Sequence, residues 1–376
     1  IIPNQYIFMF DSEIIKPTLS YFNAESIDDR DEKVRLVEEH NVKVFNQIDE
    51  FLRKYQIEKS EVLHTYTVAQ AGIAVKLSPA KFEKVQKASE IEFVEYDRVV
   101  PAPEIQIESV GASNARAPQT TPCGINNAGG SANGNASKWI WIIDSGIDLD
   151  HPDLNVQTSS TYARSFVGGN ANDCNGHGTH VAGTAAARNN SFGVVGVSRG
   201  AVVVPVRVFG CSGGSATSTI VAGVNHVNSY NISGDVVNMS LGGYFGGGCA
   251  GSSSYRSGLY ALSDQGTWVA VAAGNSSGNA ALYQPACVNR SRVLTVSSMT
   301  CGRGWSSFSN YNMNPVDFIA TGSSVYSTWK NGGYATISGT SMATPHVAGI
   351  CHVRQGRPRG VGTVRNRGEN YPIARR

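Results

Sequence analysis

The stretch GTSMATPHVAG, Gly339 to Gly349, decides how the rest of this 376-residue chain is read. A turn of small residues delivers one hydroxyl, Ser341, and the apolar segment Met342–Ile350 behind it predicts a buried helix. A serine at a helix N-terminus sits beside unpaired backbone N–H groups and the positive end of the helix dipole, where a developing oxyanion would be stabilised. Alone, a serine in a Gly-Thr-Ser turn is most often an N-cap. Its meaning depends on what answers it elsewhere.

Three residues do. Asp144 closes the apolar run KWIWIID and is followed at once by Ser145-Gly146. An acid placed there is partly buried and costly unless it has a partner, although it could also cap the next turn. His177 lies in NGHGTHVAGTAAA and opens a helix of small residues that can pack closely against a neighbour. The His177-x-x-His180 spacing lacks the glutamate and the i,i+4 separation of a zinc-peptidase helix, so His180 reads as a structural histidine. Asn275 ends TWVAVAAGN, where its amide could donate to an oxyanion, or simply serve the turn Asn275-Ser276-Ser277-Gly278.

Around these residues, short Val/Ile/Ala runs alternate with helical stretches. Residues 138–144, 201–209, 235–241, 267–274 and 292–298 read as strands; 217–227 and 255–264 read as helices. Continuous apolar strands suit a mostly parallel sheet buried on both faces by helices, a three-layer α/β domain. In such sheets functional groups collect beyond the carboxyl ends of the strands. The first hundred residues read differently. Residues 6–10, 62–68, 72–77 and the run IEFVEYDRVV predict four strands, with helices over 30–56 and after Ser78-Pro79. The order β-α-β-β-α-β is a small α+β, ferredoxin-like sandwich.

The expected organisation is therefore 1–100 as a front domain, 101–121 as a linker and 122–376 as the second domain. Charge divides the same way. Residues 1–110 carry 20 Asp/Glu against 13 Lys/Arg, and the remainder carries 9 against 18. Opposite fields favour docking of the two parts. Seven of the later bases are arginines in the last 26 residues, which reads as a solvated tail rather than a nucleic-acid surface. No apolar run approaches the roughly 18 residues of a membrane span. No basic start and small-residue cleavage site marks a signal peptide at IIPNQYIFMF, so any signal would precede this numbering.

DSGI at 144–147, NGHGTHVAGT at 175–184, SLGG at 240–243, AAGN at 272–275 and GTSMATPHVAG at 339–349 resemble the signature blocks of the subtilisin-like serine peptidases, nearest to the proteinase K and aqualysin branch. The order Asp, His, Ser along the chain is the subtilisin order. The resemblance implies a serine endopeptidase. His177 would take the proton of Ser341, Asp144 would orient and stabilise the imidazole, and Asn275 with the Ser341 N–H would bind the oxyanion. It further implies that Ser240-Leu241-Gly242-Gly243 and the segment around Ser212-Gly213-Gly214 flank an extended peptide. With Ala272-Ala273-Gly274 they would line an open apolar pocket of broad specificity.

Residues 6–100 are similar to the inhibitory propeptide of that family. This implies a self-processing zymogen whose linker is cut between Pro101 and Thr121, and whose partners are peptide substrates and its own propeptide. A zymogen peptidase is expected to be secreted, where disulfides persist. Cys174 with Cys211 matches an aqualysin-type bridge, and Cys249 with Cys287 is a second candidate. Seven cysteines leave at least one thiol over. No cofactor is expected for the chemistry. Structural calcium could use Asp148, Asp150, Asp153 or Asp173, although the turn SSMTCGRG lacks an acid that the branch carries. Several Asn-x-Ser sequons (Asn135, Asn189, Asn231 and Asn289 among them) could take glycans in a eukaryotic source.

The chain departs from the family after Gly349, where an atypical tail of Arg and Gly replaces further apolar helix. The rival expectation is an inactive binding protein on the same fold, with the front domain permanently docked.

Overall fold

A computed structural model describes residues 1–102, 106–111, 117–249 and 253–376. The front domain comprises β1 (Gln5–Phe10), α1 (Arg30–Lys54), β2 (Val62–Tyr66), β3 (Gly72–Lys76), α2 (Pro79–Val85) and β4 (Ile91–Tyr96). Its sheet has the order β2-β3-β1-β4, with β1 antiparallel to both neighbours. Asp29 caps α1 by accepting from Glu32 N at 2.8 Å, and Ser78 caps α2. The YIFMF run is apolar throughout because β1 is covered on both faces. Tyr6, Phe8 and Phe10 pack on the domain's own helices, whereas Ile7 and Met9 join a cluster that belongs to the second domain.

The second domain adds β5 (Gln106–Gly111), β6 (Ile140–Asp144), α3 (His177–Ala186), β7 (Val202–Arg207), α4 (Thr217–Tyr230) and β8 (Val236–Met239). Then come α5 (Ser254–Asp264), β9 (Trp268–Ala272), β10 (Val293–Met299), β11 (Val316–Thr321), β12 (Val325–Trp329) and β13 (Gly333–Ser338). The chain closes with α6 (Thr340–Arg354), β14 (Arg359–Asn366) and β15 (Glu369–Arg375). The large sheet runs β14-β15-β11-β10-β9-β8-β6-β7, continued by the short strand Asn155–Val156. It is parallel apart from β14. One core, around α3 and α6, lies on one face; a second, around α4 and α5, lies on the other.

The last 26 residues correct two expectations. The helix behind Ser341 continues through Cys351 and His352, both buried, with His352 Nδ1 paired to Ser198 Oγ at 2.7 Å. The Arg/Gly stretch beyond it is not a solvated tail. It forms the hairpin β14–β15, turned at Arg367-Gly368 with φ of 48° and 85°, as a tight hairpin turn requires. Tyr371 and Ile373 point inward while the arginines face water, so the periodicity is two rather than 3.6. The missing helical pattern marked a strand, not a lack of structure.

Three disulfides form. Cys174–Cys211 and Cys249–Cys287 are the expected pairs; Cys123–Cys301 was not anticipated, and Cys351 is the buried free thiol. Cys301 lies in the turn SSMTCGRG, so a covalent tie to Cys123 anchors that turn. Of the sequons, Asn231 is fully buried, and its amide donates to Thr267 Oγ1 at 2.7 Å.

Candidate active site

Asp144 and Asn275 lie at the carboxyl ends of β6 and β9 of the parallel sheet, and His177 and Ser341 at the N-terminal ends of α3 and α6. Asp144 is the last residue of β6 and is wholly buried. Its Oδ1 accepts from Ser145 N at 2.7 Å and lies 2.8 Å from His177 Nδ1. His177 is the first residue of α3, preceded by Gly176 at φ 113°. A side chain at Gly176 would collide with the indole of Trp329, so glycine is required there. His177 Nε2 has no hydrogen-bond partner among the described residues. A ring held by one nitrogen, with the other free, can accept a proton from a third group.

Ser341 is the second residue of α6 and is 6% exposed. Its Oγ donates to the Ser240 carbonyl at 3.1 Å, while Ser240 Oγ donates back to the Ser341 carbonyl at 2.8 Å. Asn238 Nδ2 in turn donates to Ser240 Oγ at 2.9 Å. The Ser341 hydroxyl is thus parked on a backbone carbonyl rather than on the histidine. Asn275, half-buried after β9, accepts from Thr340 N and Thr340 Oγ1, both at 2.8 Å. Both bonds fall on Oδ1. That fixes the amide plane and leaves Nδ2 as the donor beside Gly339, where an added Cβ would come within 3.3 Å of it.

A cleft of about 190 Å³ is lined by Ser240 to Tyr244, Ala272 to Ser276, Tyr283, Ala286, Thr340 and Ser341. Pro101 and Ala102 complete its lining. The chain leading into it, Val99–Val100, pairs antiparallel with Ser215–Ala216. Gly214 is so close that a Cβ would approach Val100 O to 2.4 Å. Ser212 and Gly213 are exposed, and nothing lies within 4 Å of a Cβ built at Gly213. Strand pairing therefore falls on Ser215–Ala216, immediately after the expected Ser212-Gly213-Gly214 segment, whose last glycine already lies against Val100. Glycines marked the loop, but the register had to be built. The residues of the linker at 103–105 and 112–116 lie outside the described residues.

The front domain docks beside this cleft along α4 and α5. Asp97 accepts from Ser218 N at 3.1 Å and Ser218 Oγ at 2.5 Å. Glu95 accepts from Ser254 N at 3.2 Å and Ser254 Oγ at 2.5 Å. Two carboxylates thus meet the positive ends of two helices. Burial raises the Glu95 carboxyl, and its bonds to Ser254 pull it back. None of these four residues stood out in the sequence, because a docking carboxylate has no pattern of its own.

Of the four aspartates suggested for calcium, Asp173, Asp153 and Asp148 have oxygens engaged by the chain's own donors. Asp173 accepts from Ser145 Oγ, Asn175 N, Gly176 N, Thr179 N and Thr179 Oγ1. Asp153 accepts from Val194 N, Asn190 Nδ2 and Tyr334 OH, and Asp148 from Gly332 N. Their oxygens serve the chain's own donors, and no convergent cluster of three ligands occurs among the described residues. His180 is structural, with Nε2 between the carbonyls of Val325 and Ala335 at 2.9 and 3.1 Å. Among the described residues no helix is long and apolar enough to cross a membrane.

The Subtilase family model matches residues 138–361, and the Peptidase inhibitor I9 model matches residues 5–102. An "Extracellular serine proteinase" of Thermus sp. (strain Rt41A) is 35% identical over 300 residues, covering 79% of this chain and 69% of its own length. "Proteinase R" of Parengyodontium album is 34% identical over 296 residues, 76% of this chain and 70% of that one. The crystal structure of a cold adapted subtilisin-like serine proteinase is similar at 36% identity and a TM-score of 0.51, covering 60% of this chain and 79% of that one.

Proposed function

The chain belongs to the subtilase family and is a serine endopeptidase with an I9-type propeptide, and from this we propose that Asp144, His177 and Ser341 are its triad, with Asn275 in the oxyanion hole. The observation that carries the assignment is the buried 2.8 Å pairing of Asp144 with His177 Nδ1, which leaves Nε2 free. Asp144 holds the ring in the tautomer whose Nε2 is basic, and it stabilises the imidazolium when that nitrogen is protonated. Ser341 Oγ leaves the Ser240 carbonyl by rotation about χ1 and gives its proton to Nε2 as it attacks the scissile carbonyl. Apo bonds of this kind often form only in the Michaelis complex. The oxyanion is met by the Ser341 N–H and Asn275 Nδ2, an amide already fixed by Thr340 and needing no reorganisation. Collapse expels the amine, which takes the proton from His177, and water then releases the acyl group from Ser341.

An extended peptide is bound as a strand alongside Ser215–Ala216 and the Ser240–Gly243 segment. Its side chain before the cut enters the pocket floored by Ala272, Ala273 and Gly274. Small walls and an open mouth support broad specificity. The front domain inhibits by occupying this track with Val99 to Ala102, and the bond cut in maturation lies between Pro101 and Thr121. Its relatives' printed names, together with three disulfides, support an extracellular location.

The deciding measurement is intact mass before and after a fluorophosphonate probe, with Ser341→Ala alongside. A wild-type chain split in the linker, with one adduct on Ser341, is expected. An uncut chain that takes no probe even after the front domain is digested away would establish the inactive binder instead.

A further inference from the structure

The front domain holds helix α4 at both ends. Asp97 serves the N-terminal end, beside the cleft. At the other end, about 20 Å away at 1.5 Å per residue, Arg30 donates to the Tyr230 carbonyl at 2.6 Å. Arg30 also pairs bidentately with Asp235 at 2.8 and 3.0 Å. Its guanidinium lies 3.7 Å from the ring centroid of Trp139. One turn along α1, Lys33 is 1% exposed and gives Nζ to Asn231 O at 2.5 Å, Asn231 Oδ1 at 2.7 Å and Gln265 Oε1 at 2.5 Å. Three donors meet three acceptors, which is the full capacity of an ammonium.

Two features set this contact apart. Its polarity opposes the net charges: the acidic domain supplies the cations, and the basic domain supplies the carboxylate. Attraction of the overall fields does not account for it. The socket is also prebuilt. Asp235 is held by Trp139 N at 2.8 Å and Trp141 Nε1 at 2.9 Å. Asn231 is turned by Thr267, and Gln265 by Asn228 at 2.8 Å. All of these partners belong to the catalytic domain, so the acceptors stay aimed when the front domain leaves. A site ordered in advance binds without an ordering cost.

We propose that this socket is an exosite of the catalytic domain, remote from the cleft. It takes a guanidinium and an ammonium displayed one helical turn apart, as on a basic helical segment of a protein. The propeptide is its resident ligand, and occupancy of the socket governs how long the cleaved propeptide is retained. The inference rests on the reading of the chain as a processed zymogen.

The test uses full chains carrying Ser341→Ala, with the linker nicked by an added peptidase and the nick located by mass. Release of the front fragment is followed by size exclusion. Breaking a buried charge pair on one side should speed release about tenfold or more in Arg30→Gln/Lys33→Met. Asp28→Asn, which removes the exposed partner of Lys138, should change release by less than about twofold. N-acetyl-arginine amide should accelerate release from the parent beyond potassium chloride of equal ionic strength, and should give the double variant no such advantage. Equal release from parent and double variant, or equal action of the amide and the salt, overturns the exosite. Should the double variant fail to melt cooperatively, the amide comparison on the parent decides alone. These chains cannot cut themselves, so self-processing is judged separately: an uncut wild-type chain would refute the processing scheme and leave the release data to judge the socket.

Discussion

Replacing Tyr371 measures how much the final hairpin contributes. The ring is fully buried at the edge of the large sheet, 4.7 Å from Trp305 by ring centroids, among Met299, Val316 and Ile319. Its hydroxyl accepts from Asn312 N at 2.8 Å and donates to Glu369. Asn312 sits at φ 96°, a conformation a non-glycine residue keeps only when its surroundings hold it. Tyr371→Phe removes the partner of that N–H and should cost about 1–2 kcal/mol, the lower part of the range for an orphaned donor because Asn312 is half-buried. Tyr371→Ala also empties an aromatic-sized volume, adding about 3–5 kcal/mol. Against a typical total of about 5–15 kcal/mol, the alanine variant loses a large share of its stability. Urea unfolding of uncut Ser341→Ala chains, followed by tryptophan fluorescence with Trp305 as the nearby reporter, gives both values. A Tyr371→Ala midpoint indistinguishable from its parent would mean that the hairpin does not pack as described.

Asn275→Leu should lower kcat by about 10²–10³ with little change in KM, a size taken from a subtilisin rather than worked from this structure; steady-state kinetics on a peptide anilide checks it. Acid should destabilise the fold above the range of ordinary carboxylates. Burial lowers His180 to about 3 and His226 and His346 to about 4. Because these folded values lie below the usual 6.5, their contribution is complete above pH 6.5 and is lost as pH falls toward 4, by up to about 1.4 kcal/mol per unit for each. Melting temperatures of the Ser341→Ala chain should fall between pH 6.5 and 5, and a flat profile would contradict the neutral buried rings. Cys123→Ser/Cys301→Ser opens a tie across a sequence separation of 178, worth about 5 kcal/mol by loop entropy, against about 4 for the other two bridges. Paired melts of the three double mutants rank them, and equal losses would reject the entropic account.

The chemistry was legible in the chain because it rests on short, contiguous blocks. The proposed residues Asp144, His177, Asn275 and Ser341 each end or follow a strand or lie in the first turn of a helix, and the apolar runs mark those boundaries without reference to anything distant. The split sandwich of the front domain was legible for the same reason: Ser78-Pro79 and the short apolar runs of its strands are local signals. What the sequence could not decide were contacts between segments far apart. The Cys123–Cys301 bridge, the commitment of Asp148, Asp153 and Asp173 to the chain's own donors, and the Lys33 socket depend on which surfaces meet. The tail was misread because its apolar residues are few and alternate with arginine. A strand of that kind is stable only when a sheet edge is present to receive it. Local propensity wrote the elements, and long-range burial decided which charged and polar side chains were matched.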